Sequence, residues 1–241
     1  MTTLLFYGNP VPLNSARHRD LKIAPARDGY SFATRTNSIP LMGVEFREAA
    51  KEYPVVFAKA GEAFLSVALV GLRNDENLLV DGEGKWDARY VPAFARRYPF
   101  VLAQDGAEGN LTVCIDETFS GFNREQGEAL FDDAGEQSPR LKEIVAFLND
   151  FHGQALRTER LIKRLQELEL LMELTAKVRL PAGQELTLAG LHVVDEAKLA
   201  KLDDAVALEM FRNGELGLIY SHLASLSNLQ SLVERLGKRS A

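Results

Sequence analysis

A long apolar repeat in the second half of the chain constrains the fold most. From Ser138 to about Ala176, apolar side chains keep returning near helical spacing, at Leu141, Ile144, Val145, Leu148, Phe151, Leu156, Ile162, Leu165, Leu168, Leu171 and Met172. This spacing places them on one face of an α-helix. Ser138 suits the N-cap and Pro139 the first helical position. The pattern therefore predicts one helix of nearly forty residues, or two helices with a kink near Gly153.

The first 115 residues carry short β-strand patterns instead. YPVVFAKAG at 53–61 and AFLSVALVGL at 63–72 are rich in β-branched and aromatic residues, and Gly61 between them predicts an antiparallel hairpin. Further strands are predicted at 100–103 and 111–115, and a short helix at 126–130. We therefore expect an α+β protein with a mostly antiparallel sheet in the N-terminal half, packed with a helical C-terminal half that contains one long helix.

The C-terminal part adds a hairpin turning at 181–183, helices capped by Asp195 and Asp203, and a last helix over 217–236. The chain then divides into a sheet-rich α+β portion at 1–137 and a helical portion with a short hairpin at 138–241. The two portions form either separate domains or one integrated domain.

Composition excludes several classes of protein. The net charge of −6 argues against nucleic-acid binding, and the C-terminal segment that resembles a helix-turn-helix lacks basic residues to meet phosphate. No stretch is apolar for the 18 to 20 residues that a membrane span needs, and the N-terminus does not resemble a signal peptide. We therefore expect a soluble, cytoplasmic protein with no nucleic-acid partner.

Motifs for cofactors, metals and catalysis are missing. The chain has no glycine-rich phosphate loop and no nucleophile elbow, and its four histidines stand at no metal-binding spacing. The single cysteine, Cys114, lies in an apolar run typical of a buried strand. Asp116 and Glu117 occupy adjacent strand positions that point to opposite faces, so they would form an acid–base pair only if a turn intervenes. We expect no cofactor, no metal and no catalytic residue.

The candidate binding surface lies in Trp86–Phe100, WDARYVPAFARRYPF. These fifteen residues hold the only tryptophan together with two tyrosines, two phenylalanines and three arginines. Arginine and aromatic side chains are enriched at binding hot spots, although a buried aromatic core with ion-paired arginines would give the same composition. The candidate binding residues are Trp86, Arg89, Tyr90, Arg96, Arg97, Tyr98, Asp116 and His152.

Four segments resemble the bacterial SapC family, in the same order along nearly the whole chain. They are YPVVF at 53–57, ENLLVDGEGKW at 76–86, the Trp86–Phe100 stretch, and VVDEAKLAKLDD at 193–204 with GELGLIYSHLASLSNLQSL at 214–232. Some members carry the label of a peptide-transport permease, which does not fit a chain without a membrane span. Others are encoded beside outer-membrane receptors and halogenase-like proteins, which implies an accessory role. The family brings no established catalytic residues.

Two functions fit the sequence. The first is a non-catalytic binding or assembly protein that acts through protein–protein contacts or self-association; an apolar stripe on the long helix would favour a homodimer. The second is a small-ligand-binding protein or enzyme with a pocket between the sheet and the helical half. Exposed apolar surface with ion-paired arginines would indicate the first, and an enclosed cavity with convergent polar groups the second.

Overall fold

The computed structural model describes residues 5–105, 110–179 and 185–239. Eleven strands fall in these ranges: β1 (Pro10–Pro12), β2 (Lys22–Ile23), β3 (Ser38–Pro40), β4 (Val55–Ala60), β5 (Ala63–Leu69), β6 (Phe100–Asp105), β7 (Asn110–Asp116), β8 (Phe122–Asn123), β9 (Glu128–Ala129), β10 (Leu171–Arg179) and β11 (Glu185–Val194).

Eight α-helices occur in the same ranges: α1 (Ser15–His18), α2 (Phe46–Ala49), α3 (Ala93–Arg96), α4 (Pro139–Glu167), α5 (Glu196–Leu199), α6 (Asp204–Arg212), α7 (Glu215–Ser225) and α8 (Leu229–Arg239). Short 3-10 turns lie at Ser31–Ala33, Gly43–Glu45 and Leu226–Asn228. Antiparallel sheets in the first half and helices in the second confirm the predicted α+β class.

The described residues form two compact units. The first unit contains the chain up to Ala33, Val80–Trp86 and Phe94–Gly153. It has two small antiparallel sheets, in the orders β1-β7-β6 and β8-β2-β9. Pro10 and Pro12 lie in edge strand β1, where a missing N–H costs no ladder bond. Buried apolar side chains fill its core, among them Phe100, Ile115, Leu130, Leu141 and Leu148.

The second unit contains Thr34–Leu79, Asp87–Ala93 and the chain from Gln154 onward. Its five-stranded antiparallel sheet has the order β10-β11-β4-β5-β3. The predicted hairpin is present in β4 and β5, which pair from Val55 opposite Ala68 to Ala60 opposite Ala63. The core is aliphatic and includes Val56, Val67, Leu69, Leu232 and Leu236.

Helix α4 is one continuous helix, but it is shorter than predicted. It ends in a left-handed residue, Glu169, with φ of +53°. The N–H of Leu170 donates to the carbonyl of Leu165 at 2.9 Å, and the N–H of Glu169 donates to Gln166 at 2.9 Å, which is a Schellman ending. Leu171 and Met172 therefore belong to strand β10 and not to the helix.

Three smaller predictions were also wrong. The helix expected at 126–130 is replaced by strand β9, which pairs with β2. The last helix is interrupted by the 3-10 turn at Leu226–Asn228 and runs on to Arg239. Within Trp86–Phe100, the spacing of Tyr90, Val91, Phe94 and Tyr98 predicts a helix face, but the structure has only the four-residue α3 there.

Other sequence expectations have mixed outcomes. The N-caps at Asp195 and Asp203 are confirmed, since each carboxylate accepts hydrogen bonds from the following backbone N–H groups. The turn at 181–183 lies outside the described residues. The domain boundary after residue 137 stays a prediction.

Candidate functional site

Aromatic rings form a connected network in the first unit, with Tyr98 at its centre. The ring centroid of Tyr98 lies 4.2 Å from that of Phe32, 5.3 Å from Tyr7 and 5.6 Å from Phe119. Most of these contacts are edge-on or tilted, as aromatic pairs prefer. Trp86 is buried and packs edge-on against Tyr30 at 5.3 Å. The network brings together segments that are far apart in sequence.

Arg97 places a positive charge among these rings. Its guanidinium carbon lies 4.0 Å from the ring centroid of Phe94, 4.8 Å from Phe151 and 5.9 Å from Tyr7. Such cation–π contacts compensate part of the cost of burying the charge. No carboxylate among the described residues pairs with Arg97, and its Nε atom is buried without a hydrogen-bond partner. Burial lowers the pKa of Arg97, against the opposing effect of Tyr7.

Asp116, by contrast, is fully committed to the fold. Its side chain is buried and accepts hydrogen bonds from the N–H of Gly8 at 2.7 Å and from the N–H and hydroxyl of Thr118 at 3.1 and 2.7 Å. Although burial alone would raise the pKa of Asp116, these hydrogen bonds together hold it below its ordinary value. Burial and the nearby Asp116 raise the pKa of Tyr98 to about 12. Asp116 therefore positions the backbone at Gly8 and Thr118, and its part in binding stays a prediction.

Two adjoining cavities lie beside the network, within the first unit. One, of about 240 Å³, is lined by three arginines, Arg96, Arg97 and Arg140, together with Tyr98. The other, of about 460 Å³ and open to solvent, is lined by aromatic side chains that include Phe32. Arg96, Tyr98 and Arg140 line both. We call the two together the arginine–aromatic cleft.

The arginines of the cleft differ in how their charges are held. Arg140 lies 3.5 Å from Glu128 and 3.2 Å from Glu143. The guanidinium of Arg96 lies 5.4 Å from the ring centroid of Phe147. The cleft therefore combines ion-paired and ring-supported cations, which suits an anionic group on a binding partner.

The predicted binding residues are divided between the two units. Trp86, Arg96, Arg97, Tyr98, Asp116 and His152 belong to the first unit, and Arg89 and Tyr90 to the second. Among the first-unit residues, the cleft brings together Arg96, Arg97 and Tyr98. Trp86 packs against the ring of Tyr30, which lines the cleft. His152 is half-buried on α4.

Arg89 and Tyr90 serve a local role in the second unit. Their backbone N–H groups each donate to the carboxylate of Glu52 at 2.9 Å, while the side chain of Arg89 is exposed. The hydroxyl of Tyr90 donates to buried Glu45 at 2.6 Å. These contacts fix the segment that follows Trp86.

Several residues of the cleft escaped sequence reasoning. Tyr30 and Phe32 lie in residues 14–38, which the sequence predicts to be mostly surface loop with one short strand near 30–33; the structure has a 3-10 turn at Ser31–Ala33 instead of that strand. Phe119 follows an acidic turn, and Arg140 lies in the first turn of the long helix. None of them stands at a spacing that signals a site. Only the aromatic content of the YSF segment at 30–32 gave a local hint.

Other kinds of site find no support in the described ranges. No three side chains from His, Cys, Asp and Glu gather there closely enough to hold a metal ion. Among the helices that the structure describes, none is both long enough and apolar enough to cross a bilayer.

Comparison with known proteins identifies the family. The sequence model of the family described as SapC matches residues 13–232, which is most of the chain. The chain belongs to the SapC family. No curated protein and no solved structure matches it. The SapC match includes the whole Trp86–Phe100 stretch and the arginine–aromatic cleft, but it assigns no role to any residue.

Proposed function

We propose that this SapC-family chain is a non-catalytic binding protein that acts in an assembly through protein–protein contacts. The arginine–aromatic cleft is its docking surface, and the partner presents an acidic segment with an aromatic or large apolar side chain. The observation that carries the proposal is Arg97, a half-buried cation that faces three rings and has no carboxylate partner among the described residues. Arg140 is ion-paired, as expected of a binding protein, whereas Arg97 is not.

The shape of the cleft favours a protein segment over a small molecule. Its arginine-lined part, at about 240 Å³, is below the roughly 300–1,000 Å³ of typical ligand pockets, whereas its aromatic part, at about 460 Å³, falls within that range. Both parts are open to solvent, so a segment of a larger partner can lie across them, and this openness is what favours a protein segment. Rings such as Phe32 and Tyr98 then offer large contact areas that lose little side-chain entropy on binding.

Two arginines of the same stretch provide a matched test. Arg96 lines the cleft, whereas Arg89 is exposed in the second unit. A change of either arginine to Gln removes one positive charge from an exposed side chain. We expect proteins captured by the immobilised wild-type chain to be retained by Arg89→Gln and reduced at least tenfold by Arg96→Gln. Quantitative mass spectrometry of the eluates measures the amount of each captured protein. Melting curves check that both variants fold.

Two results would contradict this assignment. Equal capture by both variants would remove the cleft from the proposal. Retention of a small molecule and no protein, lost only in Arg96→Gln, would favour the second hypothesis, a small-ligand-binding protein.

Self-association is part of the same proposal. Much of the apolar stripe on α4 is buried, including Leu141, Leu148 and Leu165, whereas Leu156 is 48% exposed and open to contact with a second copy. Sedimentation velocity of the wild-type chain and of Leu156→Gln measures this contribution; a monomeric wild-type chain at all concentrations would exclude it. The proposal places the protein in the cytoplasm.

A further inference from the structure

One cavity lies in the second unit and has no part in the proposed docking surface. It measures about 630 Å³, within the range of small-molecule pockets. Its apolar lining includes Val44, Leu161 and Leu218. Its charged lining consists of Arg157, Arg160 and Arg164 with the single carboxylate of Glu215. An apolar wall with an excess of cationic groups suits an amphipathic anion.

The walls of this cavity are tied together by hydrogen bonds. The buried hydroxyl of Thr158 accepts from the N–H of Gly43 at 2.8 Å and donates to the carbonyl of Gln154 at 2.7 Å. These bonds fix the 3-10 turn at Gly43–Glu45 against helix α4. The cavity is therefore preformed on this side, which reduces the entropy that a ligand loses in ordering it.

Contacts of Arg164 stabilise the opposite wall of the cavity. Arg164 donates to both carboxylate oxygens of Glu209 at 2.9 and 2.8 Å, and lies 3.3 Å from Glu215. These contacts connect helix α4 to α6 and α7. Since two carboxylates already compensate Arg164, its charge supports the wall and is not the one that a ligand needs.

Arg157 and Arg160 differ from Arg164 in this respect. Both are exposed, and no carboxylate in the described part of the chain pairs with either. They stand seven and four residues before Arg164, on the same face of α4. Nearby Val44 is 63% exposed, which is high for an apolar side chain at the edge of a cavity. Two uncompensated cations beside uncovered apolar surface match an anion with an apolar body.

We propose that this cavity binds a small amphipathic anion whose apolar chain or ring covers Val44, Leu161 and Leu218. A single carboxylate or phosphate at the end of the ligand is held by Arg157 and Arg160. Carboxylate and phosphate share the recognition chemistry of a guanidinium pair, so the structure gives the class of ligand, and the two head groups are compared by experiment. The proposal does not depend on the cleft of the first unit.

The test uses the full-length chain and four probes: octyl phosphate, octanoate, octanol and butyrate. Octanol removes the charge, and butyrate removes most of the apolar chain. We expect saturable binding of octyl phosphate or octanoate by calorimetry, with octanol and butyrate each at least tenfold weaker. The stronger of the two anions identifies the head group. No saturable binding of either anion would overturn the proposal.

Variants separate the two parts of the site. Arg157→Gln with Arg160→Gln should weaken both anions at least tenfold and leave octanol unchanged. Val44→Ser should weaken octanol and the anions alike, by about threefold. The matched control, Lys142→Gln with Lys163→Gln, removes two charges from exposed positions of the same helix and should change nothing.

Two outcomes of this series would refute the assignment. Equal losses in the arginine and lysine variants would mean that binding follows overall charge. Protection of the cavity in hydrogen exchange by a captured protein, and by none of the probes, would assign the surface to a partner segment.

Discussion

The two units hold their arginines in different ways. In the first unit, Arg97 is surrounded by the rings of Phe94, Phe151 and Tyr7, with no carboxylate partner among the described residues. In the second unit, Arg164 forms a two-point ion pair with Glu209. The faces of aromatic rings stabilise the charge of Arg97, and a carboxylate stabilises the charge of Arg164.

The difference indicates which arginine is ready to meet an anion. The charge of Arg164 is compensated within the chain, so an incoming anion would have to displace a carboxylate. Rings attract a cation more weakly than a carboxylate does once water is excluded. An anion near Arg97 therefore gains an attraction that no carboxylate among the described residues already supplies.

Replacement of Trp86 by Ala should cause the largest loss of stability in the first unit. Trp86 is 7% exposed and packs on Tyr30, next to the rings that support Arg97. We expect Trp86→Ala to lower the free energy of unfolding by about 3–5 kcal/mol, because the change leaves a cavity in the network. Since Trp86 is the only tryptophan, circular dichroism should follow denaturation by urea.

The control is Tyr220→Ala in the second unit, where the side chain is 53% exposed. An exposed aromatic of this kind should change stability by no more than about 0.5 kcal/mol. Faster hydrogen exchange confined to the first unit in Trp86→Ala would sharpen the contrast. A Trp86→Ala protein as stable as Tyr220→Ala would show that the rings do not hold the unit together.

Acid should destabilise the second unit before the first. In the second unit, Nδ1–H of His222 donates to the carbonyl of Val55 at 2.7 Å, while its Nε2 accepts from the N–H of Val194 at 3.0 Å. These partners require a neutral ring, and burial lowers the pKa of His222 to about 4. The unfolded chain protonates this side chain at about pH 6.5. Its stabilisation is therefore complete above that value and is lost as the pH falls towards 4.

The loss should amount to about 3 kcal/mol once the pH is below 4. His222→Gln provides the control, because an amide can keep both hydrogen bonds without titrating between these values. In the first unit, Asp116 has a lowered pKa, so its stabilisation persists until the pH falls below the ordinary range of an aspartate. Hydrogen exchange of each unit across pH 7 to 4 measures both. Simultaneous loss in the two units would contradict the assigned order.

Local signals explain what the sequence predicted correctly. Ser138 and Asp203 were identified as N-caps, because a cap needs only a short polar side chain next to an apolar repeat. The Ser138 hydroxyl accepts from the N–H of Leu141 at 3.1 Å as expected. The end of α4 was missed, because Glu169 takes a left-handed conformation more typical of Gly and apolar residues continue into β10.

Local signals also explain which residues of the candidate site the sequence predicted and which it did not. Arg96, Arg97 and Tyr98 were found because aromatic and arginine side chains concentrate in one stretch. Phe119 and Arg140 were missed because only the pairing of distant strands and the docking of α4 bring them to Tyr98. No pattern within a single segment carries that information.

The smallest expected effect separates the two arginines directly. Met has an unbranched apolar side chain that can keep the ring contacts of Arg97 and removes the cost of burying its charge. Arg97→Met should therefore leave the free energy of unfolding within about 1 kcal/mol of wild type, or raise it. Arg164→Met should lower the melting temperature, because Glu209 and Glu215 lose their partner. That loss should become smaller near 1 M salt, where the screening length is about 3 Å, but it should not disappear, because Arg164 is partly buried. Clear destabilisation by Arg97→Met at both low and high salt would mean that the rings hold this cation as a structural element, and that it is not kept for an anionic partner.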